Sequence, residues 1–136
     1  MKRKFSFILA VILLVTLAVP AMATGPEIGI TPRFTYISKV ATSLTINNIG
    51  VATCTANGYA TGVSSVKVIC RLQQYKNGSW TTIRTWNDTG TNMASLAKSV
   101  AVYSGYTYRT YTSFYAYNAA GSLLESASCY SAQQTY

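Results

Sequence analysis

The chain has 136 residues, with eleven Lys or Arg against three Asp or Glu and no histidine, for a formal net charge of +8. The usual general base and the commonest metal ligand are therefore missing, and Glu27, Asp88 and Glu125 show no spacing that suggests the carboxylate pair of acid–base catalysis. No phosphate loop, nucleophile elbow or zinc-ligand spacing occurs, so the sequence points away from an enzyme and implies no cofactor.

Lys2-Arg3-Lys4 open the chain, followed by an apolar run over residues 5–19, Pro20 and the small-x-small triplet Ala21-Met22-Ala23. A membrane span takes about 20 apolar residues, so this shorter run with a peptidase site behind it reads as a signal helix over residues 1–23, cleaved after Ala23. No stable transmembrane segment then remains. The product keeps Arg33, Lys39, Lys67, Arg71, Lys76, Arg84, Lys98 and Arg109 against three acids, a net charge of 8 − 3 = +5. These charges are dispersed, unlike a nucleic-acid-binding run. They suit a solvated surface, or weak attraction to anionic polymers outside the cell.

Residues 24–34 hold two prolines and two glycines and read as a flexible leader, with one domain over residues 35–136. Residues 36–40 and 43–46 alternate apolar with polar, predicting a first strand with a break near Ala41. Asn47 to Gly50 form a turn, residues 51–56 a second strand, and Gly58 and Gly62 bound the connection that follows. Over residues 66–73, Val66, Val68, Cys70 and Leu72 share one face and Lys67, Ile69, Arg71 and Gln73 the other, so the first set faces a core. Asn77-Gly78 predicts a tight hairpin into a strand over residues 80–86. Residues 87–92 read as a polar turn. A fifth strand covers residues 95–103, with Leu96, Val100 and Val102 inward.

The stretch 106–118 is almost all Tyr, Thr, Phe and Ala without proline, the composition of a long central strand. A last strand covers residues 123–131. Seven short strands and no helical periodicity after the signal predict an all-β, antiparallel sandwich. With Tyr106, Tyr108, Phe114 and Ala116 inward, Arg109, Tyr111, Tyr115 and Tyr117 stand together on the outer face. Such a row either forms a platform for sugar rings or partner side chains, or supplies ordinary cross-strand pairing. Trp80 and Trp86 read as core or hairpin-clamp residues. Cys54 and Cys70 both face inward from strands expected to oppose each other, either as a disulfide or as buried free thiols, and Cys129 is left over.

The spacing of Gly105, Tyr108, Ala116 and Gly121 resembles the sixth strand of an immunoglobulin or fibronectin-III-like sandwich, which makes Tyr108 the candidate corner tyrosine. More closely, KNGSW (76–80), TIRTW (82–86), SGYTYR (104–109) and the turn and strand over residues 121–131 resemble a family of small secreted Gram-positive bacterial proteins known as a domain of unknown function. The resemblance covers residues 45–136. It implies export, a bacterial envelope setting and an immunoglobulin-like fold, and brings no catalytic residue. The expected function is a secreted, non-catalytic binding or adhesion module at the cell envelope. Its partner would be a cell-wall polymer, a polysaccharide or another surface protein, not nucleic acid. A bacteriocin-like or toxin-like effector and a self-assembling matrix protein are the alternatives.

Overall fold

The computed structural model describes residues 34–136, so the expected signal peptide and nearly all of the leader lie outside the described residues. Within them every regular element is a strand: β1 Ile37–Ile46, β2 Val51–Ala60, β3 Ser65–Lys76, β4 Ser79–Gly90, β5 Met93–Ala101, β6 Thr107–Tyr117, β7 Leu123–Tyr130 and the short β8 Gln134–Thr135. Antiparallel pairing builds one sheet in the order β1-β2-β5 and a second in the order β4-β3-β6-β7, with β8 pairing β6 beyond the end of β7. The eighth strand is an addition to the seven expected. It ties the C-terminus down through Tyr136 N–H to the Tyr106 carbonyl (3.1 Å).

Turn chemistry sets the hairpins. Asn77 and Gly78 both take positive φ (54° and 79°), the left-handed pair whose twist matches that of the flanking strands. At the β1–β2 turn the Asn47 carboxamide oxygen accepts from the Ile49 and Val51 amides, and Gly50 closes the turn at φ 80°.

Three boundaries differ from the sequence expectation. The first strand is continuous through Ala41, and its irregularity falls between Ile37 and Lys39. Gly58 lies inside β2, opposite Val40 and Ala94, not in a connection. Residues 87–90 continue β4 instead of turning, because each finds a partner on β3 between Val66 and Ile69.

The core lies between the sheets and takes alternate residues of β2, β3 and β6, with Ile37 and Leu44 of β1 and Ala94 and Leu96 of β5. The second strand contributes only small ones, Ala52, Cys54, Ala56 and Ala60, against Val66, Val68, Cys70 and Leu72 of β3 and Tyr108, Phe114 and Ala116 of β6. Large side chains of one sheet thus fill the space left by small ones of the other, as close packing requires. Phe114 lies directly over Gly58, where a Cβ would overlap its ring. Thr110 and Thr112 share the buried face of β6. Thr110 Oγ1 bonds Thr42 Oγ1 (2.7 Å), which also donates to the Thr55 carbonyl (2.9 Å), whereas Thr112 Oγ1 has no hydrogen-bond partner.

Glu125 joins the sheets at one edge. Its carboxylate on β7 accepts the backbone N–H groups of Thr35, Tyr36 and Ile37 at 2.7–2.9 Å, capping the entry to β1. Desolvation works against the charge, yet the three donors hold the carboxyl below the usual carboxylate range.

Candidate functional site

The outer face of the larger sheet follows from strand parity. Lys67, Ile69, Arg71, Gln73 and Tyr75 of β3 point to it, as do Thr107, Arg109, Tyr111, Tyr115 and Tyr117 of β6, since their alternate neighbours are buried. Tyr130, Ser128 and Ser126 of β7 lie opposite Tyr111, Ser113 and Tyr115 and share the face. Trp80 reaches it through an irregularity. Leu72 pairs with Arg84 but Gln73 with Thr82, so Ile83 is an extra residue in β4 and the strand inverts its faces there. Without the bulge Trp80 and Trp86 would share a face. With it, Trp86 packs against the core and Trp80 stands outside.

These residues form one continuous stack across the sheet. The Tyr75 and Trp80 rings meet at 5.2 Å, tilted by 52°. The Arg109 guanidinium lies 4.1 Å from the Trp80 ring centre and 4.2 Å from that of Tyr130. Tyr130 stacks on Tyr111 at 4.7 Å and 24°, and Arg71 lies over Tyr111 at 5.5 Å. Hydrogen bonds fix both cations: Arg109 Nε donates to Gln73 Oε1 (2.8 Å), and Arg71 Nη1 donates to Ser113 Oγ (3.1 Å). Four strands at about 4.8 Å spacing give this face a width of about 14 Å.

Of the residues expected on the face, Arg109 and Tyr111 belong to the stack. Tyr115 and Tyr117 share the sheet surface but pair with each other at 6.5 Å, further along β6. Sequence reading missed Arg71, Tyr130, Trp80 and Tyr75 as members. The β3 alternation already put Arg71 outward beside Lys67, which was the available signal. Tyr130 needed the β6–β7 register and Trp80 the bulge at Ile83, and neither is written in residue spacing.

The electrostatics of the face are one-sided. Asp88 and Glu125 are the only acidic side chains among the described residues, and both are turned to backbone N–H groups elsewhere: Asp88 accepts from Ser95 (3.1 Å), and Glu125 clamps β1. Lys67, Arg71 and Arg109 therefore share the surface with no carboxylate. Hydroxyls of Ser128 and then Ser113 beside the Tyr111 phenol draw its pKa below the ordinary value, helped by Arg71 and opposed by desolvation.

Tyr108 sits on the opposite, buried face of β6. Its hydroxyl donates to the Tyr103 carbonyl (2.6 Å) and accepts from the Gln74 amide (3.1 Å). The three cysteines are free thiols, Cys54 and Cys70 buried and Cys129 partly so. Burial, with Cys70 adding to it, pushes Cys54 up to about 12, and burial raises Cys70 and Cys129 as well. Cys70 and Cys129 flank Thr112 in one row, two strand spacings or about 10 Å apart, beyond disulfide reach. Three or more His, Cys, Asp or Glu placed to hold a metal do not occur among the described residues, nor does a helix long and apolar enough to cross a membrane. No family model, curated protein or solved structure matches this chain.

Proposed function

We propose that the chain is an exported, non-catalytic binding module of the bacterial envelope that holds an anionic polymer on the outer face of its larger sheet. The observation that carries this reading is the guanidinium of Arg109 clamped between Trp80 and Tyr130, within a stack that continues through Tyr111 to Arg71. A cation between two rings gains about 0.5–1 kcal/mol per ring at an exposed site, and the side chain loses its freedom before a ligand arrives. Flat rings and fixed N–H donors on a carboxylate-free surface suit polymers that present apolar ring faces and negative charge together.

The fold identity belongs to the same proposal. The strand order and the Tyr108–Tyr103 bond support an immunoglobulin or fibronectin-III-like sandwich with Tyr108 as its corner tyrosine. Membership in the Gram-positive secreted family rests on the motifs at residues 76–80, 82–86 and 104–109, which fall on the β3–β4 hairpin, on β4 and at the entry to β6.

Retention of the purified protein on isolated Gram-positive cell wall tests the reading. Arg109→Gln and Tyr111→Ala are each expected to weaken retention about tenfold, with Tyr115→Ala weakening it less. Retention should also fall as salt rises through the range where surface charges are screened. Wild-type retention in both variants, with thermal melts confirming the fold, would refute it.

A further inference from the structure

One end of the stack opens into a depression of about 290 Å³ lined by Tyr75, Trp80, Thr107 and Gln133. We infer that it is a subsite for a single sugar ring carrying a carboxylate or phosphate group. The inference rests on the envelope-binding reading above, shares Trp80 and Arg109 with it, and adds Tyr75, Thr107 and Gln133.

The geometry suits such a ring in three respects. The volume lies at the small end of ligand sites, which run about 300–1,000 Å³, and has room for one ring. The Tyr75 and Trp80 rings, 5.2 Å apart and tilted by 52°, form an aromatic corner, and Tyr75 is exposed at 44%. A pyranose offers C–H groups on its faces and hydroxyls around its rim, so it stacks on the corner while its rim meets polar groups. Those polar groups are the Thr107 hydroxyl and the Gln133 carboxamide, which line the same depression. Thr107 Oγ1 bonds Thr135 Oγ1 (2.9 Å), which anchors β8 against β6 and fixes this side of the depression.

Charge selects among sugars. Arg109 is the next outward residue on β6 beyond Thr107, and its guanidinium lies over Trp80. Only its Nε–H is engaged by Gln73, so the terminal N–H groups can meet a carboxylate or phosphate. A neutral hexose would keep the stacking and lose the ionic contact.

Tryptophan fluorescence of the full chain, titrated with glucuronate, glucose 6-phosphate and glucose, tests the inference. Trp80 lines the subsite and should report binding, while core-facing Trp86 supplies a constant background. At least one acidic sugar is expected to give a saturable change, with glucose weaker by about tenfold or more. The tighter of the two acidic sugars identifies which anion the site takes. Tyr75→Ala should weaken the response about tenfold, and Arg109→Gln should bring the acidic sugar down to the level of glucose. No saturable response to either acidic sugar, equal binding of glucose, or an unaffected Tyr75→Ala variant would overturn the subsite. If cell-wall retention persists in that event, the envelope reading stands without it. Saturable binding of an acidic sugar without wall retention would uphold the subsite and remove the envelope reading.

Discussion

Gly58→Ala is a small change whose effect depends on a contact between sheets. The backbone at Gly58 is ordinary strand, without a positive φ. Alanine should therefore gain about 0.5–1 kcal/mol of backbone entropy over glycine if nothing stood in the way. What stands in the way is Phe114, whose Cγ, Cδ2 and Cε2 would all overlap the new methyl group. The ring is fully buried and cannot swing into solvent, so overpacking should cost about 1–3 kcal/mol and outweigh the entropy gain. Phe114→Ala alone should cost about 3–5 kcal/mol through the cavity it leaves. Together the two changes relieve each other, because the added methyl occupies space the ring vacates. Their summed cost should exceed that of the double variant by about 1 kcal/mol or more. Urea melts of the four proteins, compared at equal m-value, measure this coupling. Additivity within about 0.5 kcal/mol would show that Phe114 does not lie against β2, and the facing of the two sheets would be wrong.

Other outcomes follow from single groups. Tyr108→Phe keeps the buried ring but leaves the Tyr103 carbonyl and the Gln74 amide without their partner, and should cost about 1–3 kcal/mol in denaturant melts. Truncating Tyr115 or Tyr117 to Ala should cost only about 0.2–1 kcal/mol, and a larger loss at Tyr117 would invert the register of β6. The lowered folded-state pKa of Glu125 means that its contribution is present above the ordinary value of 4.5 and is lost as pH falls through the lower folded value. Acid melts of Glu125→Gln should therefore show a shallower loss of stability below that pH than wild type, and parallel curves would remove the clamp. Thiol labelling of native, unreduced protein should modify Cys129 alone, because Cys54 and Cys70 are buried and burial holds their thiols protonated. Labelling of Cys54 without denaturant would contradict its inward position on β2.

How much of this was legible in the residues alone differs from strand to strand. Period-two alternation is a property of neighbouring residues. For that reason Val66, Val68, Cys70 and Leu72 could be assigned to the core, and Arg109, Tyr111, Tyr115 and Tyr117 to one outer face, without any structure. The Asn77-Gly78 hairpin was equally legible, since positive φ at both positions is a local demand that these two residues meet. Gly58 and residues 87–90 misled because glycine and polar clusters have turn chemistry of their own. There the pairing partners on β1, β3 and β5 outweighed local preference.

The sequence by itself determined the class of fold, the parity of the long strands and the excess of positive charge, all of which depend on residue type and near-neighbour spacing. Only the tertiary structure decided which aromatic residues touch. A one-residue insertion at Ile83 moves Trp80 to the face opposite Trp86, and the pairing of β6 with β7 sets Tyr130 on Tyr111. Register is fixed by hydrogen bonding and burial between strands distant in sequence, and a slip of one residue would reverse every side chain. Arg109 therefore gained its place between two rings from three strands at once, information that no single stretch of the chain contains.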